Sequence, residues 1–146
     1  MFDLPEAWVW DFWVVDDGDL YHLFFLYASR ALKSPEARHY RASIGHAVST
    51  DLSSWTRVTD ALVRSDAPAA DDLATWTGSV IKGPDGLWYL YYTSATAAPN
   101  GSNMQTVSYA TSPDLYEWTK APGPILRAEP QCNEELADGQ WHDEAV

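Results

Sequence analysis

The sequence predicts an all-β chain, a β-propeller represented by about two four-stranded blades and the start of a third. Two repeated stretches carry that expectation. Leu20-Tyr21-His22-Leu23-Phe24-Phe25 returns as Leu87-Trp88-Tyr89-Leu90-Tyr91-Tyr92 at an offset of 67. Ser49–Thr56 returns as Ser112–Thr119 at an offset of 63, and both copies keep Asp-Leu-x-x-Trp-Thr. A repeat of this length carrying about four strands is the size of a propeller blade, whose sheet buries its faces only against neighbouring blades. Two hairpin-built halves of a sandwich would give a similar strand count. The recurrence of one turn per four strands favours the propeller.

Each element has a local reason. Trp8-Val9-Trp10-Asp11-Phe12-Trp13-Val14-Val15 is rich in aromatic and β-branched residues and reads as a buried strand. Asp16-Asp17-Gly18-Asp19 is a hairpin signal, and Leu20–Tyr27 follows as a strand too continuously apolar to be half exposed. Residues 28–42 are polar and interrupted by Pro35, so a long loop with a helical turn is expected. Ser43–Ser49 resumes extended structure, and Asp51–Thr56 turns into a short outer strand. The order then repeats: strand Trp76–Lys82, turn Gly83-Pro84-Asp85-Gly86, strand Leu87–Tyr92, polar loop Ala95–Asn103, strand Thr106–Thr111 and the second Asp-Leu-x-x-Trp-Thr turn. Blade one is expected at about 8–60, blade two at about 74–127, and the start of a third at about 128–146. Two blades cannot close a ring. Either the protein is longer, or copies associate through their open blade edges.

Composition narrows the function. With 146 residues, 46% hydrophobic and 21% charged, the chain can build one soluble domain. A net charge of −12 and a pI near 4.4 argue against nucleic acid, which needs clustered bases. Four of the nine bases, Arg30, Lys33, Arg38 and Arg41, do share one loop-like stretch, which reads as a solvated face. From Glu129 to Glu144 the chain carries six acids and no base. The single cysteine, Cys132, excludes an internal disulfide. His22, His39, His46 and His142 show no metal-ligand spacing, so neither metal nor cofactor is expected. No apolar run is long enough to span a bilayer and no secretory signal is visible, so a cytoplasmic protein without a membrane partner is the expectation. Eight Trp and eight Tyr suit both sheet cores and sugar-binding clefts.

Asp11 stands out. An acid in a strand of tryptophans is costly unless hydrogen-bonded, paired or kept wet in a cleft. It is either a structural acid or a functional one. Aligning the blades by their second strands places Gly78 at the position of Asp11, so the acid is not repeated from blade to blade. That favours function.

Trp8-Val9-Trp10-Asp11-Phe12-Trp13 resembles the nucleophile strand of the five-bladed propeller glycoside hydrolases. The likeness is nearest to the levansucrase-type family (family 68). The invertase and levanase family (family 32) is similar and the arabinanase-type family (family 43) more distant. Trp76-Thr77-Gly78-Ser79 resembles the Trp-Ser-Gly-Ser element of the second blade in the fructan-active members. The resemblance implies a site of three carboxylates: an Asp on blade one as nucleophile or general base, an Asp in an Arg-Asp-Pro element that stabilises the transition state, and a Glu as general acid. Only the first maps here, onto Asp11. No Arg-Asp-Pro occurs, and Asp143 and Glu144 lack the family context.

Glycoside cleavage needs a protonated acid at the leaving oxygen and a second carboxylate across the sugar. One carboxylate cannot fill both roles, so the isolated chain is expected to be inactive. Trp10 and Trp76 are candidate sugar-stacking aromatics, since an indole face covers the C–H side of a sugar ring, and Ser79 is a candidate donor to a sugar hydroxyl. The leading expectation is the N-terminal part of a glycosidase or transglycosidase acting on fructosides or related small oligosaccharides. The alternatives are a non-catalytic carbohydrate-binding module closed by oligomerisation and a truncated product with no function of its own.

Overall fold

The computed structural model of the chain describes residues 2–127. The strands there are β1 (Ala7–Asp16), β2 (Tyr21–Ser29), β3 (Ser43–Ser49), β4 (Thr56–Arg57), β5 (Ala74–Lys82), β6 (Trp88–Ala97), β7 (Asn103–Ser112), β8 (Thr119–Lys120) and β9 (Leu126–Arg127). Two short 3-10 turns, Arg30–Leu32 and Glu36–Arg41, lie between β2 and β3. The first sheet runs β1-β2-β3-β4 and the second β5-β6-β7-β8, with β9 added to β7. Every pairing is antiparallel. Two meanders of consecutive strands packed against each other form a partial propeller. The stretch expected to begin a third blade, 128–146, lies outside the described residues.

Turn chemistry sets the register. Asp17 Oδ1 accepts the amides of Asp19 and Leu20 at 2.8 and 2.7 Å, and Gly18 takes a φ of 100°. In the repeated turn, Asp51 Oδ1 accepts from Ser53 and Ser54 at 2.8 and 2.7 Å, and Asp114 Oδ1 accepts from Tyr116 and Glu117 at 2.9 Å each. These amides hold both carboxyls below the usual carboxylate range. Leu52 and Leu115 sit in the left-handed region, at φ 61° and 69°, so the two turns share their backbone as well as their letters.

The sheets meet through one core. In β6, Trp88, Leu90 and Tyr92 turn toward the first sheet, while Tyr89 and Tyr91 take the opposite face beside Tyr109. Strand alternation gives this two-sided pattern. β2 is different, because it is buried on both faces. Phe24 and Leu26 enter the inter-sheet core, whereas Leu23 and Phe25 are covered by Phe2, Leu4 and Trp55. That double cover is why β2 reads as a continuous apolar run. Trp118 packs edge-on against Phe24 at 6.0 Å and donates its Nε1–H to the Leu115 carbonyl at 2.9 Å, so this tryptophan of the repeated turn clamps the two sheets together.

The structure corrects two expectations. β6 and β7 pair as far as Ala97 and Asn103, so the loop expected over Ala95–Asn103 shrinks to residues 98–102. Polar residues misled the reading here, because their hydroxyls are satisfied inside the sheet: Ser94 bonds Thr106 Oγ1 and Ser108 at 2.8 and 2.7 Å. Nor is β1 a buried strand. Asp11 is exposed and Phe12 is 67% exposed, since among the described residues β1 is an edge strand with its outer side uncovered.

His22 and His46 form a fully buried pair between the sheets, with Nδ1 of His22 and Nε2 of His46 2.9 Å apart. His22 Nε2 bonds Asp17 at 3.1 Å, and Tyr116 lies against both rings. The two rings bond each other through Nδ1 of His22 and Nε2 of His46, which leaves His46 Nδ1 buried with no partner among the described residues. A second proton on His46 would be buried without an acceptor, so burial, and then His22, push its pKa down to about 3. The folded chain therefore binds fewer protons than the unfolded one below pH 6.5. Stability is full above that value and falls as pH drops, by up to about 1.4 kcal/mol per pH unit. Denaturant unfolding between about pH 7 and 5.5, above the window in which most carboxylates titrate, should show the start of this decline, and His46→Gln should flatten it.

Candidate active site

Asp11 owes its position to a bulge. β1 pairs Trp10 with Leu26 and Phe12 with Phe25, leaving Asp11 as an extra residue with no partner, in the left-handed region at φ 41°. β5 breaks register at the same level, pairing Thr75 with Ser94 and Gly78 with Tyr92. Phe25 and Tyr92 are the repeat partners at an offset of 67, so Gly78 corresponds to Phe12 rather than to Asp11. The residue equivalent to Asp11 is Thr77. The expected match of Asp11 with Gly78 is therefore corrected by one residue, because the hairpin after the inner strand is one residue longer in the second sheet (83–87 against 17–20), which sets the inner strands at an offset of 66 and superposes Trp10 on Trp76. The acid remains without an acidic counterpart.

The two equivalent residues touch. Thr77 Oγ1 donates to Asp11 Oδ2 at 2.8 Å across the junction of the two sheets. Oδ1 of Asp11 has no hydrogen bond among the described residues. The arrangement is an exposed carboxylate with one oxygen tethered and the other available to a reacting atom. Gly78 permits the close approach of β5 and β6, since a Cβ there would run into the Tyr91 carbonyl.

Trp10 and Trp76 are half-buried and pack on the same cluster, with Ala42, Ala74, Ala95 and Leu73. Both are held by the turn Glu36–Arg41. Trp76 donates its Nε1–H to the His39 carbonyl at 2.6 Å, the His39 ring meets Trp10 edge-on at 5.8 Å, and the Arg38 guanidinium carbon lies 5.1 Å from the Trp10 ring centroid. Ser79 is not brought to this place. Val80 joins the inter-sheet core, so alternation turns Ser79, with the exposed Ile81, to the face of β5 away from the first sheet. Thr77 and the Glu36–Arg41 turn were missed from sequence. Matching Trp10 to Trp76, instead of matching the second strands, is the signal that finds Thr77.

Residues 13–140 match the family described as the glycosyl hydrolases family 32 N-terminal domain. Asp11 lies two residues before the matched stretch, so its assignment rests on its own motif and geometry. The chain is 32% identical over 128 residues to beta-fructofuranosidase 1 of Zea mays, covering 86% of this chain and 18% of that protein. It is 41% identical over 92 residues to fructan 1-exohydrolase w3 of Triticum aestivum, covering 61% of this chain and 15% of that protein. The chain thus spans under a fifth of these relatives' length. Among solved structures it is similar to fructan 1-exohydrolase IIa from Cichorium intybus, with a TM-score of 0.66 and 26% identity over 89% of this chain and 24% of that one. The fold is shared with the fructofuranosidase of Schwanniomyces occidentalis complexed with fructose, at a TM-score of 0.66 and 23% identity over 86% of this chain and 26% of that one.

The positive φ at Asp11 makes a stability prediction that is independent of activity. Asn and Gly tolerate this backbone and β-branched residues do not. Asp11→Asn and Asp11→Gly should stay within about 0.5 kcal/mol of the parent in urea unfolding, while Asp11→Val should lose roughly 1–3 kcal/mol.

Proposed function

Because the chain belongs to the glycosyl hydrolase family 32 N-terminal domain family, we propose that it supplies the nucleophile-bearing part of a glycosidase that cleaves fructosides. The observation that carries this reading is the tethered carboxylate of Asp11, exposed at the junction of two blades and unmatched in the repeat. Support for the substrate class comes from the relatives, which are named as beta-fructofuranosidases and fructan exohydrolases.

Asp11 attacks the anomeric carbon of the fructosyl unit with the oxygen that Thr77 leaves unbound, while a protonated acid supplied from outside residues 2–127 protonates the departing oxygen. The resulting ester is hydrolysed by water or taken by an acceptor sugar. Thr77 is a positioning residue. Its hydrogen bond fixes the carboxylate rotamer in the direction of attack, which lowers the entropy lost on reaching the transition state. Trp10 and Trp76, anchored by the Glu36–Arg41 turn and next in sequence to Asp11 and Thr77, are the aromatics for the apolar side of the sugar. One carboxylate fills one of the two roles, so residues 1–146 alone should not turn over a fructoside.

In the natural protein that carries this chain, Asp11→Asn should lower kcat on a β-fructoside by about 10⁴-fold or more while leaving the thermal midpoint nearly unchanged. Retained turnover, or a collapsed fold, would sink the assignment. Thr77→Val should lower kcat about tenfold with little change in KM, and Thr77→Ser should restore most of it. Equal effects of Val and Ser would assign Thr77 to packing instead.

A further inference from the structure

The short connection between β6 and β7, residues 98–102, carries Asn100-Gly101-Ser102. Its backbone is closed by two bonds. The Ala98 amide donates to the Ser102 carbonyl at 2.8 Å, and the Gly101 amide donates to the Ala98 carbonyl at 2.9 Å. Inside that turn, Asn100 Oδ1 accepts the backbone N–H of Ser102 at 3.0 Å and the Ser102 hydroxyl at 2.7 Å. A backbone N–H can only donate, so this contact fixes which end of the carboxamide is the oxygen.

Two donors converging on one carboxamide oxygen bear on its reactivity. When a nucleophile adds to Cγ, negative charge develops on Oδ1, and both donors stand at distances that stabilise such an oxyanion. The backbone nitrogen of the next residue can close a five-membered ring on Cγ. Here that residue is Gly101, at a φ of 86°, with no side chain to crowd the attack. Its N–H must first leave the Ala98 carbonyl. At an exposed loop tip, such local opening is among the least costly motions of a fold.

The three asparagines of the chain differ in this respect. Asn103 precedes Met104 and lies in β7, paired with Ala97, with its Oδ1 accepting from Gln105 Nε2 at 3.2 Å. Asn133 precedes Glu134 and lies outside the described residues. Asn100 alone is followed by glycine.

We propose that Asn100 is a site of covalent self-modification, converting through a cyclic imide to isoaspartate and aspartate. The Gly101 nitrogen gives its proton to a solvent base and bonds to Asn100 Cγ. The Cγ–Nδ2 bond then breaks, and Nδ2 takes a proton from solvent and leaves as ammonia. Water opens the ring at either carbonyl, so one water is consumed for each ammonia released. Opening at Cγ gives aspartate. Opening at the backbone carbonyl gives isoaspartate, which adds one carbon to the main chain of the turn. Either product places a new carboxylate on the connection that corresponds, in the second sheet, to the one bearing the Glu36–Arg41 turn.

The 146-residue chain can be incubated at mildly alkaline pH and mapped by peptide mass spectrometry, with isoaspartate quantified by enzymatic methylation. Asn100 should convert well ahead of Asn103 and Asn133, with ammonia released in equal amount. Ser102→Ala removes the hydroxyl donor and should slow the conversion about fivefold, a smaller loss than in a closed active site because the backbone donor remains. Ser102→Thr should keep the parent rate. An unchanged urea midpoint reports that these variants are folded. In the urea-unfolded chain the turn is gone, and Ser102→Ala should then leave the rate unchanged. Conversion of Asn103 or Asn133 as fast as Asn100 would overturn the proposal. So would a folded Ser102→Ala variant that converts as fast as the parent or faster, because the turn would then protect Asn100 and not activate it. Equal slowing in the folded and unfolded chains would assign the effect to local sequence and overturn the role of the turn.

Discussion

The candidate site depends on one surplus residue in β1. In a regular strand, Trp10 and Asp11 would point to opposite faces. The bulge at Asp11 lets Trp10 pack into the inter-sheet core while the carboxylate beside it reaches β5. β5 breaks register at the equivalent level, and the two surplus residues meet as Asp11 and Thr77. The geometry that brings a carboxylate to the junction is therefore a property of the repeat. The carboxylate itself is not.

That distinction organises the rest of the molecule. Where the two sheets agree, the agreement serves packing: the Ser-x-Asp turns share their amide bonds and their left-handed leucines, and β2 and β6 each turn aromatic and aliphatic side chains into the common core. Where the sheets differ, the differences gather around one place. Asp11 stands against Thr77, and a thirteen-residue connection, 30–42, stands against a five-residue one, 98–102. The tryptophans Trp10 and Trp76 belong to both categories, being equivalent in the repeat and yet both gripped by the longer connection.

The same division explains what could be read from the sequence. The turns and second strands were legible because their causes are local: an Asp side chain capping nearby amides, or an apolar run between two turn signals. The register of the first strands was not. The hairpin between the first two strands has four residues in one sheet (17–20) and five in the other (83–87), so alignment by the second strands placed Gly78, one residue late, against Asp11. Exposure was also hidden. Whether β1 is covered depends on what lies beyond its free edge, and no property of Trp8–Val15 itself encodes that. Ser94 and Thr96 looked like loop residues because a polar residue inside a strand is disfavoured only if unsatisfied. Partners such as Thr106, Ser108 and Asp72 become neighbours only after folding.

The two bulges are equivalent in position but not in constraint. At Gly78 a side chain would strike the Tyr91 carbonyl, so β5 is held tightly to β6 immediately after Thr77. At the corresponding Phe12 the side chain is 67% exposed. The hydroxyl is thus mounted on the more constrained strand and the acid on the less covered one. This suits a carboxylate that must remain open to a reacting atom while its direction is set from the neighbouring blade. Rigidity resides in the donor and access in the acceptor. A repeat with identical residues at both bulges could supply the contact, but it would leave no group free to react.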